Sequence, residues 1–177
     1  INELKTTQKL LILSNGTGVL NEQIFDAVLG IDIVKFSLDS AVQSTFKKID
    51  RAKNIDVNEL VKKMADFRLK FKGELVLEIL VVAGFNDKEG EFKALNEAIN
   101  LIRPDRVDVS TIDRPPAYPV RGVSFEVLES LCENLHGVPV VIAKPAFRIV
   151  TTRQDARVAS GQSARHAVHR QPRQQGR

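Results

Sequence analysis

Four short clusters hold the residues with which this chain could do chemistry: Ser14-Asn15-Gly16-Thr17, Ser37-Leu38-Asp39-Ser40, Gly84-Phe85-Asn86-Asp87 and Thr111-Ile112-Asp113-Arg114. Each offers hydroxyls, amides or a carboxylate, the groups that fix a polar small molecule by hydrogen bonds. Taken singly, each has an ordinary local role. Asn15-Gly16 makes a turn, Asp39-Ser40 and Asn86-Asp87 make helix caps, and Arg114-Pro115-Pro116 makes a stiff loop. Together they carry more weight, because each directly follows or closes an apolar run. In parallel α/β folds the working residues sit just past the C-terminal ends of the strands, so four such ends converge on one rim.

A second set lies within the runs themselves. Lys35 stands among Val34, Phe36 and Leu38; Glu78 interrupts residues 75–82; Asp108 shares a strand face with Ser110. Three successive strands thus carry one charged residue each. Under a covering helix, each would cost several kcal/mol. In a partly hydrated barrel lumen, Lys35 can neutralise Glu78 or Asp108. A Schiff-base role for Lys35, as in aldolase-type barrels, fits less well, because neighbouring acids raise a lysine pKa and such chemistry needs it lowered.

The elements that must position these residues follow from hydrophobic spacing. Strands are expected over residues 9–13, 33–38, 75–82, 107–112 and 138–143. Helices are expected over 21–29, from a Ser40/Gln43 capping box through 49, over 88–102 and over 125–135. The strongest helical pattern opens at Asp56 and places Val57, Leu60, Val61, Met64, Phe67 and Phe71 on one face. Residues 113–122 form a proline-rich loop. Strand–helix alternation repeated five times, with strands too apolar to have one wet face, means a parallel sheet covered by helices. The inward charges favour a partial (β/α) barrel of TIM type over an open doubly wound sheet.

Composition removes several alternatives. The single cysteine, Cys132, cannot form an internal disulfide or a multi-cysteine metal site, and it shares a helical face with Leu128, Leu131 and Leu135. No apolar run approaches the roughly 18 residues of a membrane span. There is no G-x-x-x-x-G-K-S/T loop and no dinucleotide fingerprint. Residues 1–146 carry a net −2, so as a whole they show no nucleic-acid footprint. Residues 147–177 carry a net +6 from seven arginines and one aspartate, with no aromatic residue after Phe147. That segment is expected to be a basic, Arg/Gln-rich disordered tail behind a barrel spanning residues 1–146.

With those residues in view, the chain resembles radical S-adenosylmethionine enzymes. The residues that carry the resemblance are Leu11 to Gly16, Val34 to Asp39, Glu78 to Asp87, Val107 to Ser110, and Arg114 to Ala117. It covers roughly residues 9–143, and is nearest to the iron–sulfur oxidoreductase branch that includes the tRNA wyosine-base synthases. The resemblance implies a partial barrel of six β/α units, entered here at the third strand and so truncated on its N-terminal side. It implies that Ser14, Asn15 and Gly16 lie beside bound S-adenosylmethionine and that Ser37 and Asp39 contact its ribose or methionine portion. Gly84, Asn86 and Asp87 would lie near the adenine. Lys35, Glu78, Asp108 and Arg114 are the candidate substrate contacts.

The family holds a 4Fe-4S cluster on a C-x-x-x-C-x-x-C loop that precedes this strand, and this chain lacks both that loop and the Gly-Gly-Glu strand that grips the methionine amine. The expectation is a cytoplasmic radical enzyme whose C-terminal part is this chain, inactive by itself. It would be fed electrons by a flavodoxin or ferredoxin, with tRNA one possible substrate. The alternative is a non-catalytic small-molecule-binding or scaffold barrel domain.

Overall fold

The computed structural model describes residues 7–143, so the segment 147–177, expected to be a disordered tail, lies outside the described residues. Strand β1 is Leu11–Ser14, followed by a single 3-10 turn at Thr17–Leu20 and helix α1 at Glu22–Val28. Then come β2 (Ile33–Ser37), α2 (Gln43–Ile49), α3 (Val57–Lys70), β3 (Glu74–Val81) and α4 (Glu89–Ile102). Strand β4 (Arg106–Thr111), helix α5 (Phe125–Cys132) and strand β5 (Val140–Ile142) complete the order.

All four strand pairings are parallel, and the strands lie in the sheet in chain order, β1 to β5. Right-handed crossovers between neighbours taken in order place every connecting helix on the same side of the sheet. A doubly wound sheet would reverse direction partway and cover both faces; this one does not. The fold is therefore the one-sided α/β arrangement of a partial barrel.

The helix side holds the core. Val57, Leu60, Val61, Met64 and Phe67 of α3 are all buried, as their spacing predicts. Phe67 meets Phe25, Phe36 and Phe71, with ring centroids 5.3, 5.4 and 4.9 Å away, joining α1, β2 and α3 in one aromatic cluster. Asp56 caps α3 by accepting hydrogen bonds from the amides of Asn58 (2.8 Å) and Glu59 (3.1 Å). Asn21 caps α1 in the same way, through the amides of Gln23 and Ile24.

The Ser40/Gln43 capping box does not form. Helix α2 begins behind Val42 with no side-chain cap. The Gln43 amide instead reaches across its loop, donating to the Ile55 carbonyl (2.9 Å) and accepting from the Val57 amide (2.7 Å). The Ser40 hydroxyl accepts from the Val42 amide and donates to the buried Glu91 carboxylate of α4 at 2.6 Å. A charge-assisted bond inside the protein outweighs a cap at a partly exposed helix end. Among the described residues, no helix is long and apolar enough to cross a membrane.

Candidate functional site

Alternate residues of each strand face away from the helices, and in the centre of that open face they are charged. Register sets Lys35 opposite Val76, Ser37 opposite Glu78, and Glu78 opposite Asp108. The Lys35 Nζ lies 3.0 Å from Glu78 Oε1 and 3.0 Å from Asp108 Oδ2. Arg106 continues the series, donating to Asp108 at 2.7 Å and to Glu74 at 2.9 Å. The result is an alternating ladder across three strands: Glu74, Arg106, Asp108, Lys35, Glu78. Val76 lies in register between Lys35 and Arg106 and is only 1% exposed.

The ladder decides the protonation of its members. Burial, the largest influence on Lys35, pulls its pKa down, but Glu78 and Asp108 together outweigh it and hold the ammonium above the ordinary lysine value. Burial likewise works to raise Asp108, and Arg106 and Lys35 overcome it to hold the carboxyl below the usual range. A lysine held protonated is no Schiff-base nucleophile at neutral pH. It can neutralise or hydrogen-bond an anionic or carbonyl-bearing ligand.

Above the ladder, the C-terminal strand ends form a rim. Asn86 is fully buried there and ties β2 to β3. Its side-chain oxygen accepts from the Val82 amide (2.8 Å), and its nitrogen donates to the carbonyls of Asp39 (2.7 Å) and Leu80 (2.9 Å). Asp39 accepts the Leu80 amide at 2.8 Å, so it spans two strands and caps no helix. Its carboxyl is pushed up to about 7, chiefly by burial, with nearby Asp50 and Glu78 adding to the effect and the Leu80 amide opposing it. Asp87 accepts the Gly84 amide (2.9 Å) and fixes that turn; helix α4 starts behind Lys88 without a side-chain cap.

Two glycines at the rim share a left-handed backbone but differ in the space around them. Gly16 has φ 75°, a left-handed backbone that itself favours glycine, and a β-carbon there would also press on the flexible end of the Met64 side chain. Gly84 has φ 81° and open space where a side chain would stand, which leaves its backbone accessible to a flat ligand. At the β1 end, the Ser14 hydroxyl accepts from the Gly16 amide at 3.1 Å, and Asn15 accepts from Thr17. Ser37 lies on the open face between the ladder and the rim, and its hydroxyl has no hydrogen-bond partner among the described residues.

The structure therefore brings Ser37, Asp39, Gly84, Asn86 and Asp87 together at adjacent strand ends, with Ser14, Asn15 and Gly16 on the neighbouring strand. Lys35, Glu78 and Asp108 meet as one charged group. Arg114 does not join them: its side chain is 93% exposed, with only Asp113 nearby at 3.8 Å. Sequence reasoning missed Glu74 and Arg106. The available signal was parity, since Glu74 shares a strand face with Glu78 and Arg106 with Asp108.

It also missed that Glu91 and Thr45 join Ser40 in a buried polar group. Glu91 accepts from both Ser40 and Thr45 at 2.6 Å. Thr111 donates to the Val81 carbonyl (2.8 Å) and accepts from the Val123 amide (2.9 Å), docking the far end of the proline-rich loop.

The donors for an iron–sulfur cluster are not in this set. Among the described residues no three His, Cys, Asp or Glu side chains are grouped to hold a metal. Cys132 is buried, and burial pushes its thiol up to about 11, far from the thiolate a cluster requires. A cluster on three thiolates does not fit this chain's own residues.

No family model matches the sequence. The chain is 34% identical over 134 residues to a UPF0026 protein of Helicobacter pylori strain J99, covering 72% of this chain and 44% of that protein. It is 25% identical over 109 residues to a UPF0026 protein of Methanocaldococcus jannaschii, covering 61% and 34%. The chain thus spans less than half the length of these curated relatives.

Among solved structures it is similar to a radical SAM methyltransferase from Sphaerobacter thermophilus, with TM-score 0.62, 15% identity and coverage of 75% of this chain and 39% of that one. A domain of a pyruvate-formate lyase-activating enzyme from Bacteroides vulgatus gives TM-score 0.58 at 17% identity, covering 74% and 79%. TYW1 with a bound lysine–pyruvate adduct gives 0.54 at 17%, covering 71% and 40%. Identities this low speak for fold alone, and on that point geometry and neighbours agree: these five parallel strands have the fold of the partial barrels found in radical SAM enzymes.

Proposed function

We propose that this chain is the C-terminal part of a radical S-adenosylmethionine barrel and that its strand-end rim takes the cofactor. The observation that carries this reading is the arrangement of the open face: a charged ladder leads up to unpartnered Ser37 and to the open backbone of Gly84. Gly84 would lie against the adenine, and the Ser37 hydroxyl would meet the ribose or the methionine end. Ser14, Asn15 and Gly16 would border the cofactor from β1. Asn86, Asp87 and Asp39 act mainly as struts in this reading, because their side chains already hold the backbone of the rim. Lys35, Glu78 and Asp108 face the substrate side, with Arg114 on the loop outside it.

Bound to a reduced 4Fe-4S cluster, S-adenosylmethionine supplies radical chemistry through reductive cleavage of its sulfonium. The cluster's cysteines must come from outside these residues, so we assign the activity to a longer cytoplasmic protein served by a flavodoxin or ferredoxin. This chain alone is inactive in that reading. The test is anaerobic iron and sulfide loading of the full-length gene product, then reduction with S-adenosylmethionine present. Release of 5′-deoxyadenosine is expected. A loaded cluster with no cleavage would favour the alternative, a non-catalytic small-molecule-binding or scaffold domain, which the occupied side chains of Asp39 and Asn86 also suit.

A further inference from the structure

The proline-rich connection that follows β4 is anchored in two unlike ways. At its root the anchors are several. The Thr111 hydroxyl donates to the Val81 carbonyl (2.8 Å) and accepts from the Val123 amide (2.9 Å). The Ala83 amide donates to the Arg121 carbonyl at 2.9 Å. Gly122 passes so close to Thr111 and Ile112 that a β-carbon there would stand 2.7 Å from the Ile112 carbonyl oxygen. The two limbs of the loop are thereby clamped together beside the end of β3.

At the tip, one pair holds. Arg51 extends over Tyr118, its guanidinium carbon 4.1 Å from the ring centroid, and donates to the phenol oxygen at 2.8 Å. Among the described residues, this is the one hydrogen bond that joins residues 113–120 to the rest of the molecule. Tyr118 is 56% exposed, so water competes for both contacts. Arg51 makes the pair from a left-handed backbone, φ 52°, which a residue with a β-carbon adopts only at a cost. Between tip and root, Pro115, Pro116 and Pro119 restrict φ and stiffen the arm. A stiff arm, a fixed root and a single exposed catch under backbone strain make a hinged element.

Placement gives the hinge a use. Arg51 belongs to the connection between α2 and α3, so the catch draws Tyr118 toward the helix side of the sheet. The space over Gly84, next to the Ala83 anchor, stays open in this position. Three peptide steps lead from Tyr118 to Arg121, a reach of about 11 Å at full extension, so a released ring remains near Gly84. We propose that residues 113–121 are a strap. Latched back by Arg51, it leaves the rim open; released, it swings Tyr118 over the Gly84 turn and closes on a ligand there. The swing itself needs no ligand, whereas its purpose rests on the reading of the rim as a ligand site. Arg51 and Tyr118 are positioning residues in this scheme.

Tyr118 is the only tyrosine in the chain, so labelling with 3-fluorotyrosine gives a single fluorine resonance that reports the strap. The experiment follows that resonance, together with backbone amide shifts, in the 177-residue chain. In Arg51→Ala the resonance should move, and the amides of residues 84–87 should shift with it. Adding Tyr118→Leu to that variant should abolish the shifts at 84–87. Arg51→Lys, which keeps a cation for the ring, should restore most of the latched signal. Millimolar S-adenosylmethionine should move the wild-type resonance toward its Arg51→Ala position. Its binding to Arg51→Ala should be tighter by about threefold, because the latch no longer opposes closure. Shifts in Arg51→Ala confined to residues 47–57 and 113–121 would overturn the proposal. So would rim amides that respond to the cofactor while Tyr118 stays latched. Shifts at 84–87 in Arg51→Ala without added cofactor, and no cofactor response at the rim, would sink the cofactor reading and leave the strap standing.

Discussion

Alternate residues of the same strands build the two faces of this sheet, yet the faces are held by different forces. On the helix side, Val34, Phe36, Leu75, Leu77, Val107 and Val109 are excluded from water and pack against α3 and α4. On the open side, Lys35, Glu78 and Asp108 remain 18%, 33% and 20% exposed, and are joined by ion pairs. Hydrophobic burial scales with area and tolerates no hydration; a charged ladder needs residual water and gives less net energy. One strand can therefore specify the fold on one side and leave the other side free for chemistry.

The sharpest way to break the first half of that contrast is Phe67→Ala. Phe67 is fully buried and meets three other rings, so its loss should cost about 3–5 kcal/mol, read as a shift in urea midpoint. The matching deletion at Ser37, on the open face, should leave the midpoint almost unchanged. Similar losses at both positions would mean that the faces do not differ as described.

Asp39 probes the boundary between the faces. An unfolded aspartate titrates near 4, while the folded carboxyl is held near 7, chiefly by burial. Between those values the unfolded chain has released a proton that the folded chain retains, so stability falls as pH rises through this window. Asp50, pushed up to about 6 by burial, adds in the same direction. Asp39→Asn keeps an acceptor for the Leu80 amide and removes the charge. Melts of the variant should show a gain on the order of 2–4 kcal/mol at pH 8 and little change at pH 4. A wild-type protein more stable at pH 8 than at pH 5 would contradict the assignment.

Lys35→Met tests the open face itself. It leaves Asp108 with Arg106 but removes the cation beside Glu78. Partial exposure screens the loss, so the cost should be about 1–2 kcal/mol. A thermal melt identical to wild type at neutral pH would show that the ladder contributes nothing to stability.

These elements also mark how far the sequence could be read. Helix α3 was legible because Val57, Leu60, Val61, Met64 and Phe67 repeat at helical spacing, a local property that survives tertiary packing. The Lys35, Glu78 and Asp108 cluster was legible because strand parity assigns a face to each residue. Parity also puts Glu74 on the face of Glu78 and Arg106 on that of Asp108; what it cannot supply is register, which brings Arg106 of β4 within reach of Glu74 of β3. Ser40 was misread as a helix cap for a related reason, since its hydroxyl bonds Glu91, 51 residues away. Arg51 reaches Tyr118 over 67 residues, and no local rule connects those two. At the rim, residue types pointed to polar groups at strand ends, but not to which of them were already engaged in holding the backbone.

The most direct test of the central claim is amide chemical-shift mapping of the isotope-labelled 177-residue chain during titration with S-adenosylmethionine. The account predicts weak, millimolar binding, because the cluster that would chelate the methionine end is not held by this chain. The shifts should be confined to the amides of residues 14–17, 37–39 and 84–87, and Gly84→Val should abolish them. Shifts centred elsewhere, or none at millimolar cofactor, would contradict the assignment of the rim as the cofactor site.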